Sequence, residues 1–201
     1  MVTPADKLAA SLAVLKELQD AGRVALRASD MSRTHRERLV KAGFIKEVIR
    51  GWYIPCRPDE PAGESTSWYA SFWSFCSSYL DSRFDKDWCV SPEQSISLHT
   101  GNWTVPRQLL VRSPRGNNKP TEFIHGTSIF DVRLDLPPAA DREIKDDVRV
   151  YKLAAALLSC SPTQFASRPT ELRAALAMVQ AQGGIFGWVS DSRRILEALA
   201  A

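Results

Sequence analysis

The sequence predicts an α+β protein in which a small helix-and-hairpin domain precedes a larger, mixed α/β domain with a helical C-terminal part. Amphipathic helical spacing alternates with short apolar runs of strand length along the 201 residues. The stretch PCRPDEPAGEST (55–66) interrupts this pattern with Pro, Gly and acidic residues. After it, short strands surround one helix, which indicates a small mixed sheet. We therefore predict domains at 1–57 and 65–201, joined by a linker at about 58–64.

The composition is that of an ordinary soluble protein, with 44% hydrophobic and 24% charged residues. No run of about 18 apolar residues indicates a membrane span. The N-terminus carries acids and has no leading basic patch, so a signal peptide is not predicted. The cysteines are scattered, which favours free thiols over a disulfide or a metal site: Cys56, Cys76, Cys89 and Cys160. These features predict a cytoplasmic protein.

The first elements of the chain are predicted to be scaffold. Pro4 is suited to a helix start, and Ala21-Gly22 to its end. Four leucines at helical spacing between these points predict one buried stripe: Leu8, Leu12, Leu15 and Leu18. Val24–Leu26 is predicted to be a small strand that pairs with a later hairpin, and Ala28–Met31 is long enough for a single helical turn.

A basic helix and a hairpin follow. Ser32 is a candidate N-cap for a helix over Ser32–Ala42, and Gly43 suits the left-handed residue that ends it. Phe44–Ile49 and Trp52–Ile54 are predicted strands joined at Arg50-Gly51. The order helix, turn, basic helix, hairpin is typical of a winged helix-turn-helix.

The two predicted faces of this basic helix differ in chemistry. The side predicted to pack carries Arg36, Leu39 and Val40. The other side carries polar groups that contact phosphates and base edges in DNA: Arg33, Thr34, Glu37, Arg38 and Lys41. Lys46 and Arg50, near the hairpin tip, are predicted to contact the flanking DNA backbone.

The charge of this region favours DNA as a partner. Residues 23–57 hold nine Lys/Arg and three acids, whereas the whole chain carries a net charge of only +3. Glu37 can accept a hydrogen bond from cytosine or pair with Lys41 one turn later, and the pair is favoured. The alternative interpretation of the whole helix is a charged face that is only solvated.

An aromatic helix is predicted over Ser67–Phe84. Its main stripe comprises Trp68, Phe72, Phe75, Cys76 and Tyr79, and further apolar residues off the stripe are Tyr69, Trp73 and Leu80. Apolar groups on more than one side indicate either burial against two neighbours or a partner surface. We favour a core position.

The rest of the chain is predicted as short strands followed by helices. The predicted strands are Trp88–Ser91, Val105–Val111, Glu122–His125 and Ile129–Leu134, and the predicted helices are Pro92–His99, Val148–Cys160, Thr170–Gln182 and Arg193–Leu199, with a break at Gly183–Gly187. Three basic residues, Arg112, Arg115 and Lys119, flank the turn Pro114–Pro120. They form either a second phosphate contact or an ordinary polar turn, and we favour the ordinary turn.

The sequence offers no local signature of catalysis. The three histidines, His35, His99 and His125, are too separate to indicate a metal site. A nucleophile elbow, a phosphate-binding loop and a dinucleotide-binding fingerprint are all absent. We therefore predict a protein that is not an enzyme and needs no metal or cofactor.

Several motifs carry a resemblance to a known family. Ser32-Arg33, Arg38-Leu39-Val40 and Gly43 follow the pattern S-R-x-x-L-x-R-L-V-x-x-G-x-L, and Arg50–Pro55 is similar to R-G-x-Y-x-x-P with one residue fewer before the proline. Ser95–Gly101 is similar to a small-residue helix that ends in Leu-His-Gly, and Val148–Ser159 loosely matches a later strand and helix. With these residues the chain resembles the AbiEi family of antitoxins and transcriptional regulators over most of 5–180. Arg36 departs from the pattern, because the family usually has an apolar residue at this inward position.

The resemblance implies a function. A protein of this family would repress its own operon through the winged helix, and its second domain would oppose or accompany a toxin encoded beside it. Related toxins are nucleotidyltransferases. The chain is also similar to the N-terminal region of some Fic-type filamentation proteins, but it lacks their catalytic motif HPFxxGNG, so their AMP transfer is not assigned to it.

Three hypotheses follow for the function. The first is a DNA-binding autorepressor or antitoxin of a bacterial toxin–antitoxin or phage-defence locus, which binds double-stranded DNA of its own promoter and a cognate toxin. The second is a protein-interaction domain in which a degenerate winged helix docks a partner, such as a Fic-type or nucleotidyltransferase toxin. The third is an accessory fragment of a larger Fic-like enzyme. The sequence does not decide the oligomeric state.

Overall fold

The computed structural model describes residues 3–61 and 63–181, which form a mixed α+β structure. The described chain divides into two compact units. The first comprises residues 3–85 and 120–129, and the second comprises 86–119 and 130–181. Within these residues the strands form one three-stranded, one four-stranded and one two-stranded sheet.

The first unit begins with the elements that the sequence predicts. They are α1 (Pro4–Asp20), β1 (Leu26–Arg27), a 3-10 turn (Ala28–Asp30), α2 (Arg33–Lys41), β2 (Ile45–Ile49), β3 (Trp52–Pro55) and α3 (Thr66–Phe84). Thr3 and Asp6 form a capping box at the start of α1, with Pro4 at the first helical position. Strand β3 pairs antiparallel with both β1 and β2, so the predicted pairing of the small strand with the hairpin is confirmed.

Two groups of buried side chains hold the first unit together. One lies between α1, α2 and the small sheet, and its buried members are Leu15, Leu26, Met31, Leu39, Ile45 and Tyr53. The other is aromatic and joins α3, the hairpin and the segment 120–129, with Trp52, Trp68, Phe72, Phe75, Tyr79 and Phe123 in ring contact. Trp68, Phe72 and Phe75 are fully buried, which confirms the predicted core position of the aromatic helix.

The second unit is built from short strands and short helices. Its elements are β4 (Cys89–Val90), α4 (Pro92–His99), β5 (Gln108–Ser113), β8 (Arg142–Lys145), β9 (Val148–Tyr151), α5 (Leu153–Ser159), α6 (Pro162–Ser167) and α7 (Pro169–Ala181). The short β6 (Pro120–Glu122) and β7 (Ser128–Arg133) lie along the chain where it passes between the units. The core of the second unit packs α4, α5 and α7 on β4 and β9, with Ile96, Tyr151, Leu157 and Leu172 among its buried side chains.

The predicted helix Val148–Cys160 is wrong in its first third. Residues Val148–Tyr151 form strand β9, paired with β8, and only Leu153–Ser159 is helical. The turn between the strands is Asp146-Asp147, where both residues have positive φ, as a two-residue hairpin turn requires. Alternating burial in Val148, Arg149 and Val150 is typical of a strand, and helical spacing begins only with the apolar run at Leu153.

The predicted domain boundary and the two units divide the chain differently. The sequence places the boundary at 58–64, whereas α3 belongs to the first unit together with the distant segment 120–129. Proteolysis and hydrogen exchange test the boundary directly. The predicted helix Arg193–Leu199 and the break at Gly183–Gly187 lie outside the described residues.

Candidate nucleic-acid interface

Helix α2 begins and ends where the sequence predicts. The Ser32 hydroxyl accepts a hydrogen bond from the His35 backbone N–H at 3.3 Å, which caps the first turn. At the other end Gly43 has φ +75°, and its N–H donates to the Val40 carbonyl at 3.1 Å. An added Cβ at Gly43 would lie 3.2 Å from the Pro58 Cα, so glycine serves both the turn and the close approach.

The exposed face of α2 is a continuous strip, which we call the α2 face. Its exposed residues are Arg33, Thr34, Glu37, Val40 and Lys41. Val40 was predicted to pack, but it is 42% exposed, and that prediction is wrong. The reason is the direction of α1: the buried side of α2 is centred on Leu39 and turns towards His35 and Arg38, which contact α1. Around the helix axis Val40 lies about 20° from Arg33.

Arg33 and Glu37 form an ion pair on the α2 face. The Arg33 Nε donates to Glu37 Oε1 at 2.6 Å, and both side chains are mostly exposed. This hydrogen bond lowers the pKa of the Glu37 carboxyl and raises that of the Arg33 guanidinium. The favoured pairing of Glu37 with Lys41 is therefore wrong. Glu37 pairs with the residue one turn before it, and Lys41 is left exposed.

Arg38, a predicted base contact, is tied to α1. Its Nη1 donates to the Lys7 carbonyl at 2.8 Å and to the Ser11 hydroxyl at 2.9 Å. The Ser11 hydroxyl is fully buried, lies 2.9 Å from His35 Nδ1 and donates to the Lys7 carbonyl at 3.0 Å. It accepts from Arg38 and also contacts the His35 ring, so one hydroxyl links α1 to both side chains of α2. This arrangement fixes α2 on α1.

Arg36, which departs from the family pattern, is accommodated at its inward position. Its Nη1 donates to the Ala28 carbonyl at 2.8 Å, and its guanidinium lies 6.0 Å from the Tyr53 ring centroid. A carbonyl acceptor and an aromatic face let the charged head lie beside the small sheet while its apolar stem is covered.

The hairpin presents one exposed cation at its tip. Arg50 stands in the β2–β3 turn and is exposed. The turn is closed by Gly51, whose N–H donates to Glu47 Oε1 at 2.9 Å. On the neighbouring strand, the Arg27 guanidinium lies 5.0 Å from the Trp52 ring centroid, so this exposed arginine is held against the hairpin.

Lys46 is engaged with the segment predicted as a linker. Its Nζ lies 4.0 Å from Glu60 Oε2 and donates to the Glu64 carbonyl at 3.3 Å. Glu60 in turn accepts hydrogen bonds from the N–H and hydroxyl of Ser67, in the first turn of α3. The segment is thus attached to both the hairpin and α3.

The folded surface is less positive than residues 23–57 suggest. The adjoining segment adds three acids, so residues 23–64 carry nine basic and six acidic groups. Arg57 pairs with Asp59 at 2.6 Å, and Arg23 pairs with Asp30 at 2.9 Å. Of the residues predicted to contact DNA, Lys41 and Arg50 are exposed and have no acidic partner among the described contacts.

The second predicted basic contact belongs to the second unit and is dispersed. The Arg112 guanidinium lies 5.7 Å from the Tyr151 ring centroid, Arg115 pairs with Asp87 at 3.5 Å, and Lys119 is exposed. The turn between them packs on β7: an added Cβ at Gly116 would lie 2.7 Å from the Val132 backbone. These contacts account for the turn without a ligand.

Outside this surface, a histidine and two cysteines of the second unit are buried or half-buried. His99 Nε2 lies 2.7 Å from the Tyr151 carbonyl, at the end of α4. Burial raises the pKa of the Cys89 and Cys160 thiols to about 12, which disfavours a thiolate nucleophile at neutral pH. Within residues 3–61 and 63–181, no three His, Cys, Asp or Glu residues are placed to hold a metal ion. In the same part of the chain, every helix is too short or too polar to cross a membrane.

Comparisons with protein-family models, curated proteins and solved structures found no match to this chain.

Proposed function

We propose that the chain is a DNA-binding autorepressor or antitoxin of a bacterial toxin–antitoxin or phage-defence locus, and that it is not an enzyme. The observation that carries the proposal is the α2 face. This exposed strip, polar except for Val40, lies on a helix that follows a helix, a short strand and a turn, and that precedes an antiparallel hairpin. This order, with β1 paired to β3, supports the proposed winged helix-turn-helix.

In this proposal α2 enters the major groove of double-stranded DNA, and the hairpin rests on the backbone. Arg33 and Thr34, in the first turn of α2, approach base edges, because recognition helices contact bases with their N-terminal residues. Lys41 and Arg50, both exposed, bind phosphates. Arg38 acts indirectly, since its hydrogen bonds to α1 set the orientation of α2.

The second unit is assigned the toxin-facing role on the strength of the resemblance to the AbiEi family. From the same resemblance we propose that the bound DNA is the promoter of the chain's own operon. We also propose that the toxin is a nucleotidyltransferase. Co-expression with the product of the neighbouring gene tests this part of the proposal: rescue of growth is expected, and failure to rescue a demonstrated toxin would contradict it.

Salt-dependent DNA binding tests the central claim. We expect the wild-type protein to bind the DNA upstream of its own gene, with an affinity that falls steeply as salt is raised. Lys41→Ala and Arg50→Ala should each lower the slope of log affinity against log salt by about 1. Arg57→Ala is the matched control, because Arg57 is an exposed arginine outside the α2 face and the hairpin tip. A wild-type protein that binds no DNA at low salt would contradict the proposal.

Docking of a protein partner is the second candidate, and the charge of the folded surface favours it. Several basic residues of the region are already paired with acids or backbone carbonyls, which leaves few cations for phosphates. Val40 also places an apolar group on the α2 face. Binding of a toxin that is abolished by Val40→Asp, without any DNA binding by the wild type, would establish this candidate in place of the first.

A further inference from the structure

The ion pair on the α2 face leaves the two terminal nitrogens of the Arg33 guanidinium available. The hydrogen bond to Glu37 uses Nε, and the Arg33 side chain is 82% exposed. The two terminal nitrogens of a guanidinium match the O6 and N7 acceptors of guanine in the major groove. Glu37 therefore restricts the arginine side chain without occupying the pair of donors that a guanine needs.

Val40 is the apolar residue of the α2 face. It is 42% exposed, although it lies on a short helix whose other exposed side chains are polar. It lies within about 20° of Arg33 around the helix axis and two turns further along. The one apolar group that base edges offer in the major groove is the thymine methyl.

We propose that α2 reads a guanine through Arg33 and a thymine methyl through Val40, with Glu37 as the positioning residue of Arg33. This inference rests on the proposed function, and it names the DNA sequence that the same surface selects. Seven residues of helix span about 10 Å, and stacked bases are about 3.4 Å apart, so the two bases are about three base pairs apart when α2 follows the groove. The ligand is double-stranded DNA that carries this guanine and thymine.

The test begins with selection of preferred sites from random double-stranded DNA by the full chain, followed by atom-level changes in the selected site. Replacing each thymine in turn by deoxyuridine removes only the C5 methyl group. One replacement should weaken wild-type binding about 4-fold, the change expected when a single methyl group is no longer buried. Val40→Ala should bind the unmodified site more weakly and be insensitive to that same replacement. Ile144→Ala, an exposed apolar residue in the second unit, serves as the control.

Replacing each guanine by 7-deazaguanine removes the N7 acceptor and tests Arg33. One replacement, about three base pairs from the sensitive thymine, should weaken wild-type binding about 10-fold and leave Arg33→Ala unaffected. Glu37→Gln should retain overall affinity but lose part of the preference for guanine at that position. If Glu37 instead contacted cytosine, Glu37→Gln would alter preference at a cytosine, and its positioning role would be overturned.

Failure of this inference differs from failure of the proposed function. Wild-type protein that selects a site but ignores every deoxyuridine and 7-deazaguanine replacement overturns the readout while DNA binding stands. Wild-type protein that binds no DNA at low salt overturns both.

Discussion

At the scale of single residues, the most consequential side chain outside the exposed surface is Ser11. Its fully buried hydroxyl joins α1 to two side chains of α2, His35 and Arg38. A buried hydroxyl that satisfies several partners is costly to remove, because each partner keeps its desolvation penalty without its hydrogen bond. The orientation of the α2 face therefore depends on Ser11, which is buried and lies outside that face.

We expect Ser11→Ala to lower the free energy of unfolding by about 1–3 kcal/mol, since it removes a buried hydroxyl that makes hydrogen bonds with Lys7, His35 and Arg38. Urea denaturation followed by far-UV circular dichroism measures this. Ser29→Ala, at an exposed serine in the 3-10 turn, is the control and should change stability by less than about 0.5 kcal/mol. Equal effects of the two substitutions would contradict the assigned role.

At the scale of elements, helix α3 carries both buried and exposed aromatic residues. Phe72 is fully buried against Trp68, with ring centroids 5.4 Å apart, while Tyr69 is 44% exposed. Phe72→Ala should therefore cost about 3–5 kcal/mol of stability. Tyr69→Ala is the matched control and should cost much less. Thermal and urea unfolding measure both stability changes. A Phe72→Ala protein as stable as wild type would contradict the core position of Phe72.

Glu60 attaches the segment predicted as a linker to the hairpin and to α3. Burial alone would raise the pKa of Glu60, but the hydrogen bonds from Ser67 and the charges of Lys46 and His125 lower it instead. A carboxyl with a lowered folded pKa stabilises the protein above its unfolded pKa of about 4.3, and this contribution is lost as the pH falls through the folded pKa. The stability that Glu60 contributes should therefore decrease at acid pH.

Glu60→Gln should reduce stability by about 1 kcal/mol at pH 7, because the charge-assisted part of its hydrogen bonds is lost. The difference from wild type should vanish as the pH falls through the lowered pKa of Glu60 in the folded protein. Urea unfolding at a series of pH values measures it. Subtilisin digestion supplies a second measurement: wild type should resist cleavage between residues 58 and 64, and Glu60→Ala should be cut there. A constant difference at all pH values would count against the link to this carboxyl.

At the scale of the whole molecule, local signals were predictable and long-range contacts were not. The caps, the Arg50-Gly51 turn and the apolar stripes each depend on neighbouring residues, so α1, α2 and the hairpin follow from sequence alone. The contact of Arg38 with Lys7 spans 31 residues, and no local pattern signals it. For the same reason the exposed position of Val40 was missed, because it depends on where α1 packs. The DNA contacts themselves stay predictions.

Phe123 tests the discontinuous first unit. It lies far along the chain from α3, yet it is 8% exposed and its ring is 5.3 Å from that of Phe75. Phe123→Ala should destabilise this unit by about 3–5 kcal/mol, because the cavity would open inside the aromatic cluster. Hydrogen exchange should therefore accelerate in peptides from α3 and the hairpin, with smaller changes in α5 and α7. Faster exchange in α3, α5 and α7 together, with the hairpin unchanged, would instead support the predicted boundary at 58–64, because that boundary places α3 and Phe123 in one domain with α5 and α7.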